Sequence, residues 1–136
     1  MSNQQIQPDM LFENRKRGSS GEMLTQAASE YIEAHCREKF SLQSLADSLF
    51  VNKSYLLRVF RKHTGYTPLA YHNHLRCKRA KELLVSTGEE ISEIGEMVGF
   101  VSSAHFSHVF RKTEGCTPTE YRLNHRTYWN KEAGTP

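Results

Sequence analysis

Two sets of side chains, 50 residues apart, combine hydrogen-bonding, cationic and small apolar groups at helical spacing. Ser54, Leu57, Arg58 and Arg61 fall at i, i+3, i+4 and i+7, and Ala104, Ser107, His108 and Arg111 repeat the spacing. Positions so spaced share one face of a helix. A guanidinium such as that of Arg58 can make a bidentate contact to guanine, and small or apolar groups can meet a thymine methyl. Lys53, Arg61, Lys62, Arg111 and Lys112 are expected to hold phosphates, which positions a protein on a duplex without reading sequence. Ser102 and Ser103 open the second set and are counted with it. Leu57 has two readings, a base contact or a residue that widens the core stripe. His105 and His108 lie at i and i+3, but no third ligand is near, so no zinc site is predicted. His105 occupies the position of Tyr55 and is expected to be packed and hydrogen-bonded.

The charge distribution supports a polyanionic partner. The net charge of the 136 residues is only +3, yet Phe50 through Lys81 contains no Asp or Glu. That stretch carries Lys53, Arg58, Arg61, Lys62, Arg76, Lys78, Arg79 and Lys81. A solvated helix face ordinarily mixes both signs, because opposite charges at i,i+4 support the helix. A long acid-free basic run suits a nucleic acid surface instead.

These side chains are placed by a duplication. Asn52 to Lys62 aligns with Ser102 to Lys112, both ending Val-Phe-Arg-Lys, and the match continues through Gly65/Gly115, Thr67-Pro68/Thr117-Pro118 and Tyr71/Tyr121. Upstream, Leu42, Leu45, Ala46 and Leu49 match Ile91, Ile94, Gly95 and Val98 at an offset of 49, so the one-residue difference falls in the turn between two helices. Each copy reads as helix, tight turn, helix. Ser41 caps a short helix over 42–49. Asn52 caps one that runs to about Thr64 and stops at Gly65, with Leu56, Val59 and Phe60 as its core face. Pro68 opens a linker helix to about Val85, and as a first helical residue it gives up no hydrogen bond. The second copy predicts helices over 91–98, 103–113 and from Pro118, and a leading helix is expected over 22–37.

The predicted class is therefore all-α, with about seven helices and two helix-turn-helix units joined by a long linker. The domain is bounded at 21–126, with a first unit near 22–66, a linker over 68–85 and a second unit near 89–124. Residues 1–20 and 127–136 are expected to be flexible ends. Eighteen helical residues span ~27 Å, close to the ~34 Å between successive major grooves on one face of B-DNA. One chain is thus expected to read two half-sites as a monomer.

Several classes are excluded. No apolar run of about 18 residues exists to span a membrane, and the first ten residues lack the apolar core of a signal peptide, so a cytoplasmic location is expected. Three cysteines, Cys36, Cys77 and Cys116, are widely spaced and predict free thiols. No H-E-x-x-H, Gly-rich phosphate loop or G-x-S-x-G is present, so neither an enzyme nor a bound cofactor is predicted. A helical protein-interaction module is the competing class. Steep salt dependence of binding separates the two.

The chain resembles the DNA-binding domain of the AraC/XylS family of bacterial transcription regulators. The resemblance covers about Glu22 to Asn124. It rests on Ser41-Leu42-Gln43-Ser44-Leu45-Ala46, on Tyr55 through Lys62 with Gly65-Tyr66-Thr67-Pro68, and on Val98-Gly99-Phe100 through Lys112 to Thr117-Pro118-Thr119-Glu120-Tyr121-Arg122. It implies seven helices, promoter DNA as partner, and activation that often works through RNA polymerase. Two positions depart from the family pattern. Phe50 stands where a turn glycine is usual, which predicts a strained first turn, and His108 stands where arginine is frequent. Many relatives carry a second, effector-binding or dimerisation domain. The chain is therefore expected to be either a stand-alone, monomeric regulator or the C-terminal piece of a longer protein that can dimerise.

Overall fold

The computed structural model describes residues 19–125. The expectations for residues 1–18 and 126–136 fall outside them. The described residues form seven helices and no strand: α1 (Ser20–Ala34), α2 (Leu42–Ser48), α3 (Lys53–Thr64), α4 (Pro68–Ser86), α5 (Ile91–Met97), α6 (Ser103–Glu114) and α7 (Pro118–His125). The helix starts are set by side chains that satisfy orphan amide donors. Ser41 Oγ accepts from Ser44 N–H, Asn52 Oδ1 from Tyr55 N–H and Ser102 Oγ from His105 N–H. Ser19 with Glu22 and Thr117 with Glu120 close reciprocal capping boxes. Gly65 and Gly115 end α3 and α6 in the left-handed conformation at φ 82° and 87°.

The chain divides into two compact units. The first comprises residues 19–34 with Ser41–Leu69, so it holds α1, α2 and α3. Its core is Ala28, Ile32, Leu45, Ala46, Leu56, Val59 and Phe60, all buried. α1 passes close to α3 at Gly21, where an added Cβ would lie 2.9 Å from His63 Nε2 and 3.3 Å from Val59.

The second unit comprises His35–Phe40 with residues 70–125. Its core runs from Cys77, Ala80, Leu83 and Leu84 on α4 to Ile94, Val98, Phe100, Phe106, Val109 and Phe110. α1 was expected to reach Arg37 but ends at Ala34. The chain turns there instead, with Glu38 N–H bonding His35 O, and buried Arg76 on α4 fastens the turn by donating from Nε to Cys36 O at 2.8 Å and from Nη2 to Glu38 O at 2.6 Å. Its guanidinium also lies over the Phe100 ring, 4.9 Å from the centroid. The Cys36 and Glu38 carbonyls are thus taken by a side chain 38 to 40 residues away. Arg122 plays a comparable part at the end of α4, donating to Leu84 O and Thr87 O. The three cysteines are free, and burial pushes the Cys77 thiol up to about 11.

Within each unit the two copies differ in how bulk is shared. Gly95 on α5 faces Phe106 on α6, and a Cβ at Gly95 would lie 2.7 Å from the Phe106 ring. The first copy has Ala46 and Leu56 at these positions, a larger residue opposite a smaller one. Gly95→Ala should therefore overpack the core and cost about 1–3 kcal/mol, and Phe106→Leu should cost a similar amount through a cavity. Combined, they recreate the first copy's pairing and should recover part of the loss. Urea unfolding of the four proteins tests this. Simple additivity of the two penalties would show that the pair does not share one space.

His72, also on α4, is 2% exposed, packs against Phe40 with ring centroids 5.3 Å apart, and has no hydrogen-bond partner for either ring nitrogen among the described residues. Burial first, then the Arg76 charge, lowers its pKa from 6.5 to about 4, and nearby backbone groups of Glu38, His35 and Cys36 oppose this only in part. Below pH ~6.5 the unfolded chain takes up a proton that the folded chain refuses. Stability should fall as pH drops from there and level off below about 4, losing at most about 3 kcal/mol on this account. Denaturation midpoints between pH 7.5 and 4.5 should show the slope reduced in His72→Leu. An unchanged slope would mean that other groups set the acid response.

Candidate nucleic-acid interface

The outward face of each third helix is defined by what its inward face buries. On α3, Leu56, Val59 and Phe60 are buried, and Lys53, Ser54, Arg58, Arg61 and Lys62 are exposed. Leu57 is 36% exposed against 0% for Leu56, so it stands off the buried stripe. On α6, Phe106, Val109 and Phe110 are buried; Ser103, Ala104, His108, Arg111 and Lys112 are exposed, and Ser107 is half-buried. Each candidate set is therefore gathered on one helix. Ser102 precedes α6 as its cap, its hydroxyl oxygen engaged by the His105 amide. His105 departs from expectation. Its ring is exposed and meets Phe100 edge-on at 5.4 Å, and it is its backbone amide that donates to Ser102 Oγ. Position 105 lies outside the i, i+3, i+4 stripe that the core takes from α6, so nothing encloses the ring.

The basic run does not become a uniformly basic surface. Arg76 is buried, Arg79 pairs with Glu82 at 3.2 Å and Lys81 with Glu114 at 3.0 Å. The sequence hid these neutralising partners because Glu82 and Glu114 lie beyond the acid-free stretch. What remains concentrated is α3, where Lys53, Arg58, Arg61 and Lys62 are exposed and none pairs with an acid among the described residues. Beside α6, the short α5 adds acids: Glu93 and Glu96, with Glu89 and Glu90 just before it. Glu89 holds the Glu93 carboxyl above its ordinary range by hydrogen bonding and like charge.

The turn before each third helix has the same construction. Phe50 N–H bonds Asp47 O and Val51 N–H bonds Ala46 O; Gly99 N–H bonds Glu96 O and Phe100 N–H bonds Gly95 O. Both are Schellman closures, which require a left-handed residue just past the helix. Gly99 fills that place at φ 109°, where a Cβ would lie 2.5 Å from Arg37 O. Phe50 fills it at φ 61°, the only non-glycine at positive φ among the described residues, and its side chain is 93% exposed. The strained first turn anticipated from the sequence is present. Sequence reading missed a second feature, the Arg58 guanidinium over the Tyr55 ring, 5.2 Å from the centroid. The i,i+3 spacing of an aromatic and an arginine was the available signal.

A sequence model described as a helix-turn-helix domain matches residues 45–124. The fold is similar to that of a transcriptional regulator from Chromobacterium violaceum described as containing an AraC-type DNA-binding domain. The TM-score is 0.70 at 31% identity, over 81% of this chain and 98% of that one. The chain belongs to the AraC/XylS family. It is also 36% identical over 109 residues to the transcriptional regulator ArgR of Pseudomonas aeruginosa, covering 80% of this chain and 33% of ArgR. The DNA-binding domain of AdpA, solved in complex with a target DNA, matches with a TM-score of 0.68 at 27% identity, over 77% of this chain and 94% of that one. The chain spans between about a third and a half of the length of such curated relatives. Among the described residues no helix is long and apolar enough to cross a membrane.

The left-handed Phe50 has a measurable cost. A non-glycine residue there forfeits about 1–2 kcal/mol, and glycine's extra unfolded-state entropy offsets about 0.5–1 kcal/mol of any relief. Phe50→Gly should therefore raise stability by about 1 kcal/mol or slightly less, seen as a higher thermal midpoint. A lower midpoint would mean that the exposed ring contributes more to the fold than its strain costs.

Proposed function

We propose that this chain binds double-stranded promoter DNA sequence-specifically and regulates transcription, with α3 and α6 as reading helices in successive major grooves. The observation that carries it is the repeated outward face. Ser54, Leu57, Arg58 and Arg61 stand opposite the buried Leu56, Val59 and Phe60, and Ala104, Ser107, His108 and Arg111 stand opposite Phe106, Val109 and Phe110. A helix-turn-helix presents its second helix to the groove in this way. Lys53, Lys62, Arg111 and Lys112 serve as phosphate holders, and Ser102 and Ser103 supply hydroxyl contacts at the start of α6. α4, at 19 residues, is roughly 28 Å long, which suits a monomer covering two half-sites. Activation through RNA polymerase and a cytoplasmic location are carried over from the family as part of the same proposal. In a longer protein a dimer would double the site.

Arg58 and Arg61 separate reading from holding. Arg58 lies mid-face on α3, and Arg61 lies in its last turn beside Lys62. Arg58→Ala should cost ~1–3 kcal/mol on the preferred site and relax preference at one base pair. Arg61→Ala should weaken all sequences alike and lower the salt slope by about one unit. Affinities for the preferred duplex, its single-base variants and random DNA across a salt series decide the matter. Binding that ignored salt would point instead to a protein-interaction module.

A further inference from the structure

We infer that Tyr55 is a positioning residue for base reading: its ring holds the Arg58 guanidinium in place before DNA arrives. The inference deepens the proposed role of α3 and rests on it. Three observations support it. Arg58 Cζ lies 5.2 Å from the Tyr55 ring centroid, within the distance at which a guanidinium is attracted to an aromatic face. Tyr55 is half-buried, whereas Arg58 is exposed and pairs with no acid among the described residues. The Tyr55 amide is itself tied to the Asn52 cap at 2.8 Å, which anchors the platform at the first turn of α3.

The physical consequence is a matter of entropy. An exposed arginine samples many rotamers, and ordering it on a base edge forfeits that freedom. A guanidinium already drawn over a ring gives up part of it in the free protein. The planar fork needed for a bidentate guanine contact is then offered in a narrow set of orientations. The ring acts on discrimination rather than on overall attraction, because phosphates do not require that orientation. The second copy lacks the pair altogether. His105 takes the place of Tyr55 and turns its ring to Phe100, and His108 takes the place of Arg58. α3 therefore carries an oriented cationic reader, and α6 does not.

The test uses the full chain and a duplex selected by it from random DNA, with Tyr55→Phe, Tyr55→Leu and Arg58→Ala compared. Tyr55→Phe keeps the aromatic face and should discriminate within about twofold of the parent. Tyr55→Leu should lose about three- to tenfold of discrimination, at the same base pair where Arg58→Ala loses it, with random-DNA affinity unchanged. In the free protein, NMR should show the Arg58 δ protons shifted upfield by the ring in the parent and in Tyr55→Phe, and released in Tyr55→Leu. That second readout does not depend on DNA or on a small loss of stability. Unshifted Arg58 protons in the parent would overturn the inference. So would full discrimination by Tyr55→Leu alongside its loss in Arg58→Ala. If Arg58→Ala weakened every sequence equally, the reading role of Arg58 would fall, and the positioning role with it.

Discussion

Three apolar side chains at i, i+3 and i+4 set the orientation of each exposed helix: Leu56, Val59 and Phe60 on α3, and Phe106, Val109 and Phe110 on α6. Burying each is worth roughly 1.5–3 kcal/mol, more than any single polar contact on the opposite face supplies in water. The inward stripe therefore decides which residues point outward. Arg58, Ser54 and their counterparts inherit their direction from it. The short helices α2 and α5 have too few turns to stand alone. They are held by the same buried residues, through Leu45 and Ala46 in one unit and Ile94 and Gly95 in the other.

The two copies keep this scheme while reversing detail. Bulk moves from α2 to α6, since Ala46 and Leu56 become Gly95 and Phe106. Close packing tolerates such an exchange because the summed volume is nearly conserved. Charge moves the other way. Among the described residues α3 keeps four exposed cations that pair with no acid, and α5 places acids beside α6. A duplicated frame thus supports two unequal surfaces, one strongly basic and one nearly balanced.

Local chemistry was legible in the sequence, and long-range capture was not. Caps at Ser41, Asn52 and Ser102, stops at Gly65 and Gly115, and the 3.6-residue stripes each depend on a few neighbouring residues, so reading along the chain finds them. The strain at Phe50 was legible through the resemblance, which puts a glycine at that turn. The turn that follows α1 was not, because its carbonyls are held by Arg76 from 38 to 40 residues away. Nor could charge counting reveal that Arg76, Arg79 and Lys81 are spoken for. His105 was misjudged because the alignment with Tyr55 said nothing of what would surround it.

The capture of residues 35–40 by the second unit makes the chain's topology interleaved. α1 belongs to the first unit, the next six residues to the second, and α2 and α3 to the first again. No single peptide bond therefore separates the two helix-turn-helix units. A cut after Leu69 would leave the six-residue segment on the wrong fragment and deprive a buried guanidinium of both its carbonyls. An uncompensated buried charge of that kind is among the costlier defects a fold can carry. The halves arose as copies of one another, yet they are no longer interchangeable parts. Swapping, shuffling or excising one of them is a problem of re-routing the chain rather than of joining modules.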